Sequence, residues 1–175
     1  ANLGVSALGA TQNAGGVPDG SFTSLVAQAQ VAQRLTPDLT LIARAQGQIA
    51  STALLPLEQV AIGGRETVRG FSEAVVSGDD GVVGSLEARI SLIDLPVPGL
   101  TPGGAAAPLT LAPFIEGGKV WRQNGGGSDT LIGAGAGLLW SPRPGVDAAF
   151  YLGAALKGGE DGGGLQGKGA HFALT

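Results

Sequence analysis

The sequence predicts an all-β fold, an antiparallel transmembrane β-barrel, and three observations favour it. Apolar residues make up 43% of the 175 residues, yet they are dispersed at alternate positions instead of forming an 18-residue run that could cross a membrane as a helix. Most strand-like segments have roughly nine to twelve residues, the length at which a tilted strand crosses a bilayer core. Long glycine-rich connections alternate with short ones, which is typical of outer-membrane barrels.

Composition and charge exclude several classes of site. The chain has no cysteine, so it holds neither a disulfide nor a thiolate metal site. Its net charge of −4 disfavours nucleic acid as a partner. Because the sequence contains no methionine, we expect a processed product or an excised piece of a longer chain. A Gly/Ala-rich soluble β-sandwich or solenoid has a similar composition, so composition alone does not decide between these folds.

Period-two alternation predicts eight strands, in the order 2–10, 21–34, 39–50, 82–92, 109–121, 130–140, 146–156 and 169–175. In the third strand, Leu41 and Ile49 point to one side, while Arg44, Gln46 and Gln48 point to the other. The other strands repeat this arrangement. Each strand therefore has one apolar wall and one polar wall.

The connections differ in length according to the end of the strands at which they lie. Short links such as 36–38 and 141–145 follow even-numbered strands, and a longer proline-rich link follows the fourth strand. Long or glycine-rich connections follow odd-numbered strands, and the longest is the charged stretch 51–81. Outer-membrane barrels have short periplasmic turns and long outer loops, so this pattern places 51–81 on the extracellular side.

The chemistry of the two walls argues against a sandwich. The polar wall is rich in Gln, Thr and Ser and carries few Lys, whereas soluble sheets usually expose Lys and Glu. The apolar wall is aliphatic, with only 5% aromatic residues in the chain to fill a core between sheets. Eight strands can close a small barrel. A long charged insertion does not fit over so narrow a lumen, so we expect these strands to be part of a larger barrel.

Four motifs occur in a fixed order along the chain. They are IGGR followed by VRGF (62–71), GDDG followed by GSLEAR (78–89), FIEGGKV (114–120) and GAGLLWSP (135–142). With them, the sequence resembles the outer-membrane translocators of two-partner secretion, of the haemolysin secretion/activation type. That family shares a superfamily with the outer-membrane barrel-assembly insertase and the chloroplast import pore.

The resemblance implies an architecture. The family barrel has sixteen strands, and the VRGF loop lies between the eleventh and twelfth. Residues 1–175 are then the C-terminal transmembrane barrel region, strands nine to sixteen, with the long loop at 51–81. The partners implied are outer-membrane lipid, a missing N-terminal barrel half and periplasmic polypeptide-transport-associated domains, and the location implied is the outer membrane of a Gram-negative cell envelope.

The resemblance also implies a site. In the family the VRGF loop folds into the lumen, and its arginine meets an acidic residue of the wall. Here the acidic residue is a glutamate where the family typically has an aspartate, and strand parity directs it and the nearby phenylalanine inward. We call the following residues the latch: Val68, Arg69, Gly70, Phe71, Phe114 and Glu116.

A second group of polar residues is predicted to line the lumen. The glutamines offer neutral hydrogen bonds to a passing chain, and the charged residues lie on the same walls. Solvation of the lumen without a role in transport is the alternative interpretation of these residues. They are Gln28, Gln30, Arg44, Gln46, Gln48, Glu87 and Arg89.

No catalytic constellation is visible. His171 is the only histidine, and Asp79 and Asp80 have the spacing of turn residues. We therefore expect neither enzymatic activity nor a metal or other cofactor. The predicted function is an outer-membrane pore that translocates a secreted partner polypeptide. The alternatives are an assembly insertase of the same superfamily, a passive diffusion porin and a soluble β-sandwich binding module.

Overall fold

A computed structural model describes residues 4–7, 22–97, 99, 101, 107–123, 125–143, 145–158 and 170–174. All regular secondary structure within these ranges is β-strand. Among these residues, no helix is both long and apolar enough to cross a membrane. The strands are β1 (Gly4–Ala7), β2 (Ser24–Thr36), β3 (Leu39–Ala50), β4 (Val60–Ile62), β5 (Val76–Gly78), β6 (Asp80–Asp94), β7 (Pro108–Trp121), β8 (Ser128–Arg143), β9 (Val146–Lys157) and β10 (Ala170–Leu174).

Eight of these strands form one antiparallel sheet in the order β1-β2-β3-β6-β7-β8-β9-β10. Apart from β4 and β5, neighbours in sequence are therefore neighbours in space. Each of the eight predicted segments corresponds to one strand of this sheet, and the predicted bounds of β3 are those observed. The predicted all-β antiparallel fold is confirmed.

The connection between β3 and β6 differs in detail from the sequence prediction. The predicted loop 51–81 contains the short hairpin β4–β5, and β6 begins at Asp80, so the connection is residues 51–79. Three-residue strands carry too little periodicity to be recognised in a sequence. We refer to residues 51–79 as the long loop.

The long loop lies on one face of the sheet, which we call the inner face. Residues directly paired across an antiparallel sheet point to the same side, so the register identifies the other members of this face. The seven predicted lumen-lining residues all belong to it. One row of the inner face, read from β2 to β9, consists of Gln30, Arg44, Ser85, Glu116, Gly133 and Ala155.

The opposite, outer face is apolar and exposed. Ile115 is 51% exposed, whereas its neighbour Glu116 on the inner face is 5% exposed. A sandwich would bury this aliphatic side beneath a second sheet, and a barrel in a bilayer presents it to lipid. Other large exposed side chains of the outer face are Leu25, Val31, Ile49, Val82, Leu86, Leu138, Phe150 and Leu152.

The hydrophobic core lies between the long loop and the inner face. Four loop residues, Val60, Ile62, Val68 and Phe71, are buried against sheet residues from three strands, Val83, Val120 and Leu131. A smaller cluster on the same face contains Ala112, Phe114 and Tyr151. Burial of apolar surface therefore holds the long loop on β6, β7 and β8.

Candidate functional site

The long loop reaches the sheet through a tight turn at its paired glycines. Gly63 and Gly64 have φ values of 113° and 91°, a region that residues with a Cβ rarely adopt. The N–H of Gly63 donates to Oγ1 of Thr67 at 2.8 Å, and that hydroxyl donates to the Gly63 carbonyl at 2.9 Å. This closed turn directs Val68 and Arg69 towards the wall.

Arg69 binds Glu116 through both its backbone and its side chain. Its backbone N–H donates to Oε2 of Glu116 at 2.7 Å, while Nε and Nη2 donate to Oε1 at 2.9 and 2.5 Å. Charge-assisted bonds of this kind are stronger than neutral ones, and the several contacts fix the orientation of the guanidinium. Glu116 therefore positions the loop backbone as well as the arginine side chain.

A second buried carboxylate completes the ion cluster. Nη1 of Arg69 lies 3.0 Å from Oε2 of Glu87, whose other oxygen accepts a hydrogen bond from Nε of Arg89 at 2.9 Å. Arg69, Glu87 and Glu116 are 4%, 2% and 5% exposed. The Arg89 side chain is 39% exposed, and its charge together with that of Arg69 balances the two glutamates, which limits the cost of burying the carboxylates.

Aromatic rings surround the guanidinium. Cζ of Arg69 lies 3.6 Å from the ring centroid of Phe114 and 4.6 Å from that of Tyr151. The two rings pack edge to face, with centroids 6.0 Å apart. A cation near ring faces gains electrostatic energy, more so when water is excluded. These rings therefore shield the ion cluster from water on the β7–β9 side.

Glycines on both surfaces let the loop backbone touch the wall. Gly70 has a φ of 103°, and a Cβ there would lie 2.7 Å from the carbonyl carbon of Ala154. A Cβ on Gly153 would lie 2.9 Å from the Gly70 nitrogen, and one on Gly133 would overlap the Arg69 carbonyl oxygen. Side chains at these positions would hold Arg69 away from its carboxylates.

Asp79, the last residue of the long loop, ties the start of that loop to the segment that follows β7. Its Oδ1 accepts hydrogen bonds from the N–H of Leu54 at 2.7 Å and from Nε2 of Gln59 at 3.1 Å. Its Oδ2 accepts one from the N–H of Gln123, beyond β7, at 2.7 Å. Asp79 is 2% exposed. The sequence interpretation of this aspartate as a turn residue accounts for its position but not for these contacts.

The Asp79 carboxyl should make the docking of the loop ends depend on pH. Burial raises its pKa, but the hydrogen bonds from Leu54, Gln123 and Gln59 and the charge of Arg122 outweigh that effect, so its pKa is lowered. A lowered pKa means that the stabilisation is complete above the ordinary Asp pKa of about 3.9 and is lost as pH falls through the folded-state pKa.

We therefore expect hydrogen-exchange protection of the Leu54 and Gln123 amides to fall with acidification below the ordinary Asp range. In Asp79→Asn the protection should be weaker at neutral pH and should lose this acid dependence. Glu66→Gln, an exposed change in the same loop, serves as the control and should behave as wild type. An unchanged acid profile in Asp79→Asn would contradict the assignment.

Most of the sequence-predicted latch residues converge in the structure. Arg69, Gly70, Phe114 and Glu116 lie together, and Val68 and Phe71 occupy the adjoining apolar cluster. Of the predicted lumen residues, Glu87 joins the ion cluster and Arg89 supports it. The amide of Gln48 donates to two carbonyls near the ends of the long loop. The remaining four, Gln28, Gln30, Arg44 and Gln46, line a cleft beside the loop.

Three features of the site were not predicted from the sequence. Tyr151 lies 82 residues after Arg69 in the chain, and nothing local connects the two. The glycines at 133 and 153 are two of 32 in the chain, so composition did not distinguish them. Glu87 was placed on the correct wall, but its pairing with Arg69 depends on the β6–β7 register, which sets Glu87 opposite Phe114.

Comparisons with known proteins match the chain to one family. The profile of the haemolysin secretion/activation protein family ShlB/FhaC/HecB matches residues 1–139. The outer membrane transporter CdiB of Dickeya dadantii (strain 3937) is 29% identical over 147 residues, which cover 81% of this chain and 25% of that protein.

A solved structure supports the fold. CdiB from Escherichia coli superposes with a TM-score of 0.68 at 24% identity, over 85% of this chain and 26% of that one. At this level of identity the likeness concerns the fold alone. The chain thus spans about a quarter of the length of the relatives it matches.

Proposed function

Because the chain belongs to the haemolysin secretion/activation protein family ShlB/FhaC/HecB, we propose that the whole protein is an outer-membrane translocator that exports a secreted partner polypeptide. In this proposal the present chain is the C-terminal part of its barrel. Its location is the outer membrane, in keeping with the transporter that it resembles. Transport through the barrel is not enzymatic and uses no cofactor.

The observation that carries the proposal is the docking of a charged loop on the polar face of a sheet whose other face is apolar. The ion cluster of Arg69 with Glu87 and Glu116 is buried between the loop and the wall. The apolar outer face suits lipid, and the polar inner face suits a hydrated path. We infer that the latch holds the long loop inside the lumen during the working cycle.

The remaining partners belong to the same proposal. Lipid contacts the outer face, and an N-terminal barrel half pairs with the present sheet. Periplasmic polypeptide-transport-associated domains deliver the partner polypeptide. An assembly insertase of the same superfamily is the second candidate, because an insertase would share the barrel and the latch. The passive porin is the third.

One comparison separates these candidates. The gene for the full-length protein is deleted in its own host, and the culture medium, the outer-membrane proteins and the uptake of small solutes are compared with the parent strain. A translocator predicts that one large polypeptide disappears from the medium and returns on complementation. General loss of outer-membrane proteins would instead indicate an insertase, and slower solute uptake alone a porin.

A further inference from the structure

The long loop covers the inner face unevenly. Its VRGF segment and its apolar residues pack on β6 to β9. On the other side of the loop, towards β2 and β3, a cleft of about 640 Å³ separates the loop from the wall. A molecule passing along the inner face therefore meets an occupied side and an open side.

The open side is lined by polar groups of both surfaces. The wall contributes Gln28, Gln30, Arg44 and Gln46, and the loop contributes residues 65–67. Arg65 and Glu66 project from the loop, with Nε and Oε1 3.7 Å apart and side chains 44% and 85% exposed. Cations and anions are thus interspersed, and no single sign of charge dominates the lining.

Two of the side-chain amides on the wall are available to bind a polypeptide in the cleft. Gln28 and Gln46 face each other across β2 and β3. Neither side chain has a hydrogen-bond partner among the residues that the structure describes, while Gln30 accepts a bond from Arg44 at 3.1 Å. A carboxamide both donates and accepts, so it can pair with the N–H or the C=O of any peptide unit, whatever its side chain.

The spacing of these amides matches an extended chain. Residues two apart on a strand, such as Gln28 and Gln30, are about 6.8 Å apart, which is also the two-residue repeat of an extended peptide. Each neutral hydrogen bond contributes only about 1 kcal/mol net, because a bond to water is lost when it forms. Such contacts hold an extended chain briefly at each step and do not trap it.

We propose that the secreted polypeptide crosses the barrel in an extended conformation through this cleft, between residues 65–67 and the amide-bearing wall of β2 and β3. The inference rests on the proposed transport function. The polypeptide passes alongside the docked loop, and of the latch residues Glu116 borders the cleft. Gln28, Gln30 and Gln46 are then contact residues for the polypeptide backbone.

Site-specific photocrosslinking tests the path. In secreting cells, p-benzoylphenylalanine replaces Gln30 or Gln46 of the full-length protein. Crosslinks are measured to the polypeptide that disappears from the medium in the deletion experiment. Matched controls replace Val31 and Ala43, which lie on the same two strands but point to the outer face and do not line the cleft, and Ala149, which lies on the inner face of β9.

We expect crosslinks to the polypeptide at Gln30 and Gln46 to exceed those at Val31 and Ala43 at least about tenfold, because the side chains of Val31 and Ala43 face the opposite side of the sheet. Crosslinks at Ala149 should also remain weak. Equal or stronger crosslinking at Ala149, or none at Gln30 and Gln46 while secretion continues, would overturn the path but leave the transport function intact. If deletion removes no polypeptide from the medium, the transport function itself fails.

Cysteine substitutions change the side chain less than p-benzoylphenylalanine does, so they provide a second test if the photocrosslinking variants fail to assemble. Because this part of the protein has no cysteine, Gln30→Cys, Gln46→Cys and Ala149→Cys add single thiols to it. The positively charged thiol reagent MTSET is applied to the reconstituted full-length protein, freed of any other cysteines. Modification at Gln30→Cys or Gln46→Cys should lower single-channel conductance, and modification at Ala149→Cys should lower it less. The reverse order would count against the cleft as the path.

Discussion

Replacing Arg69 by Ala is expected to release the long loop from the wall. The change leaves Glu116 buried without its cation, whereas Glu87 keeps Arg89 as a partner. Removing one member of a buried ion pair typically costs about 3–5 kcal/mol, because the remaining charge is uncompensated. The cation–π contacts with Phe114 and Tyr151 are lost as well. On the proposed function, secretion by the full-length protein should fall with the docked population.

Hydrogen exchange of the long-loop amides measures this effect. Exchange in Arg69→Ala should accelerate about a hundredfold or more, the equivalent of about 3 kcal/mol. Arg122→Ala is the matched control, since Arg122 pairs with Asp129 at side-chain exposures of 35% and 42%. Exposed pairs contribute about 0–1 kcal/mol, so the control should stay close to wild type.

A double variant separates the loss of the ion pair from the cost of leaving the Glu116 carboxylate buried without a cation. Arg69→Ala combined with Glu116→Gln removes the unpaired carboxylate, so part of the protection should return. If Arg69→Ala behaves like Arg122→Ala, the ion cluster does not hold the loop.

Introducing Arg at Ile115 is expected to destabilise the barrel in lipid. Ile115 is the eighth of fourteen residues in β7, points to the outer face and is 51% exposed. Near the bilayer midplane an arginine on the lipid face costs about 2–4 kcal/mol, because no water is present to solvate the charge. On a sheet facing water, the same exposed substitution would change stability by only about 0.5 kcal/mol or less.

Leu25→Arg provides the control at a different depth. Leu25 lies at the start of β2, also on the outer face, and is 46% exposed. Near the interface the cost falls to about 0–1 kcal/mol, because the side chain reaches water. Stability is measured by urea unfolding of the full-length protein in lipid vesicles, with gel mobility as the readout. Wild type and Leu25→Arg should have similar stability, and both should be more stable than Ile115→Arg. Equal stability of the two variants would argue against a lipid-facing wall.

The sequence predicted those parts of the structure whose pattern lies within one chain segment. The six strands of twelve to sixteen residues were recognised because each contains enough residues for alternation to appear, as in β3, where both ends agree. The hairpin β4–β5 was missed because three residues show no period. The pairing of Arg69 with Glu116 came from a resemblance between motifs and from the parity of β7. Neither could supply the distances or the burial.

The sequence by itself determined the alternation of apolar and polar residues, and with it which side of each strand belongs to the apolar outer face. Side-chain direction along a strand is a local property, so one chain segment suffices to assign it. Only the tertiary structure decided that Glu87 and Tyr151 join Arg69, that glycines 133 and 153 admit the loop backbone, and that an open cleft remains beside β2 and β3. These features depend on contacts between segments far apart in the chain, whose closeness is set by strand register and by apolar packing of the loop.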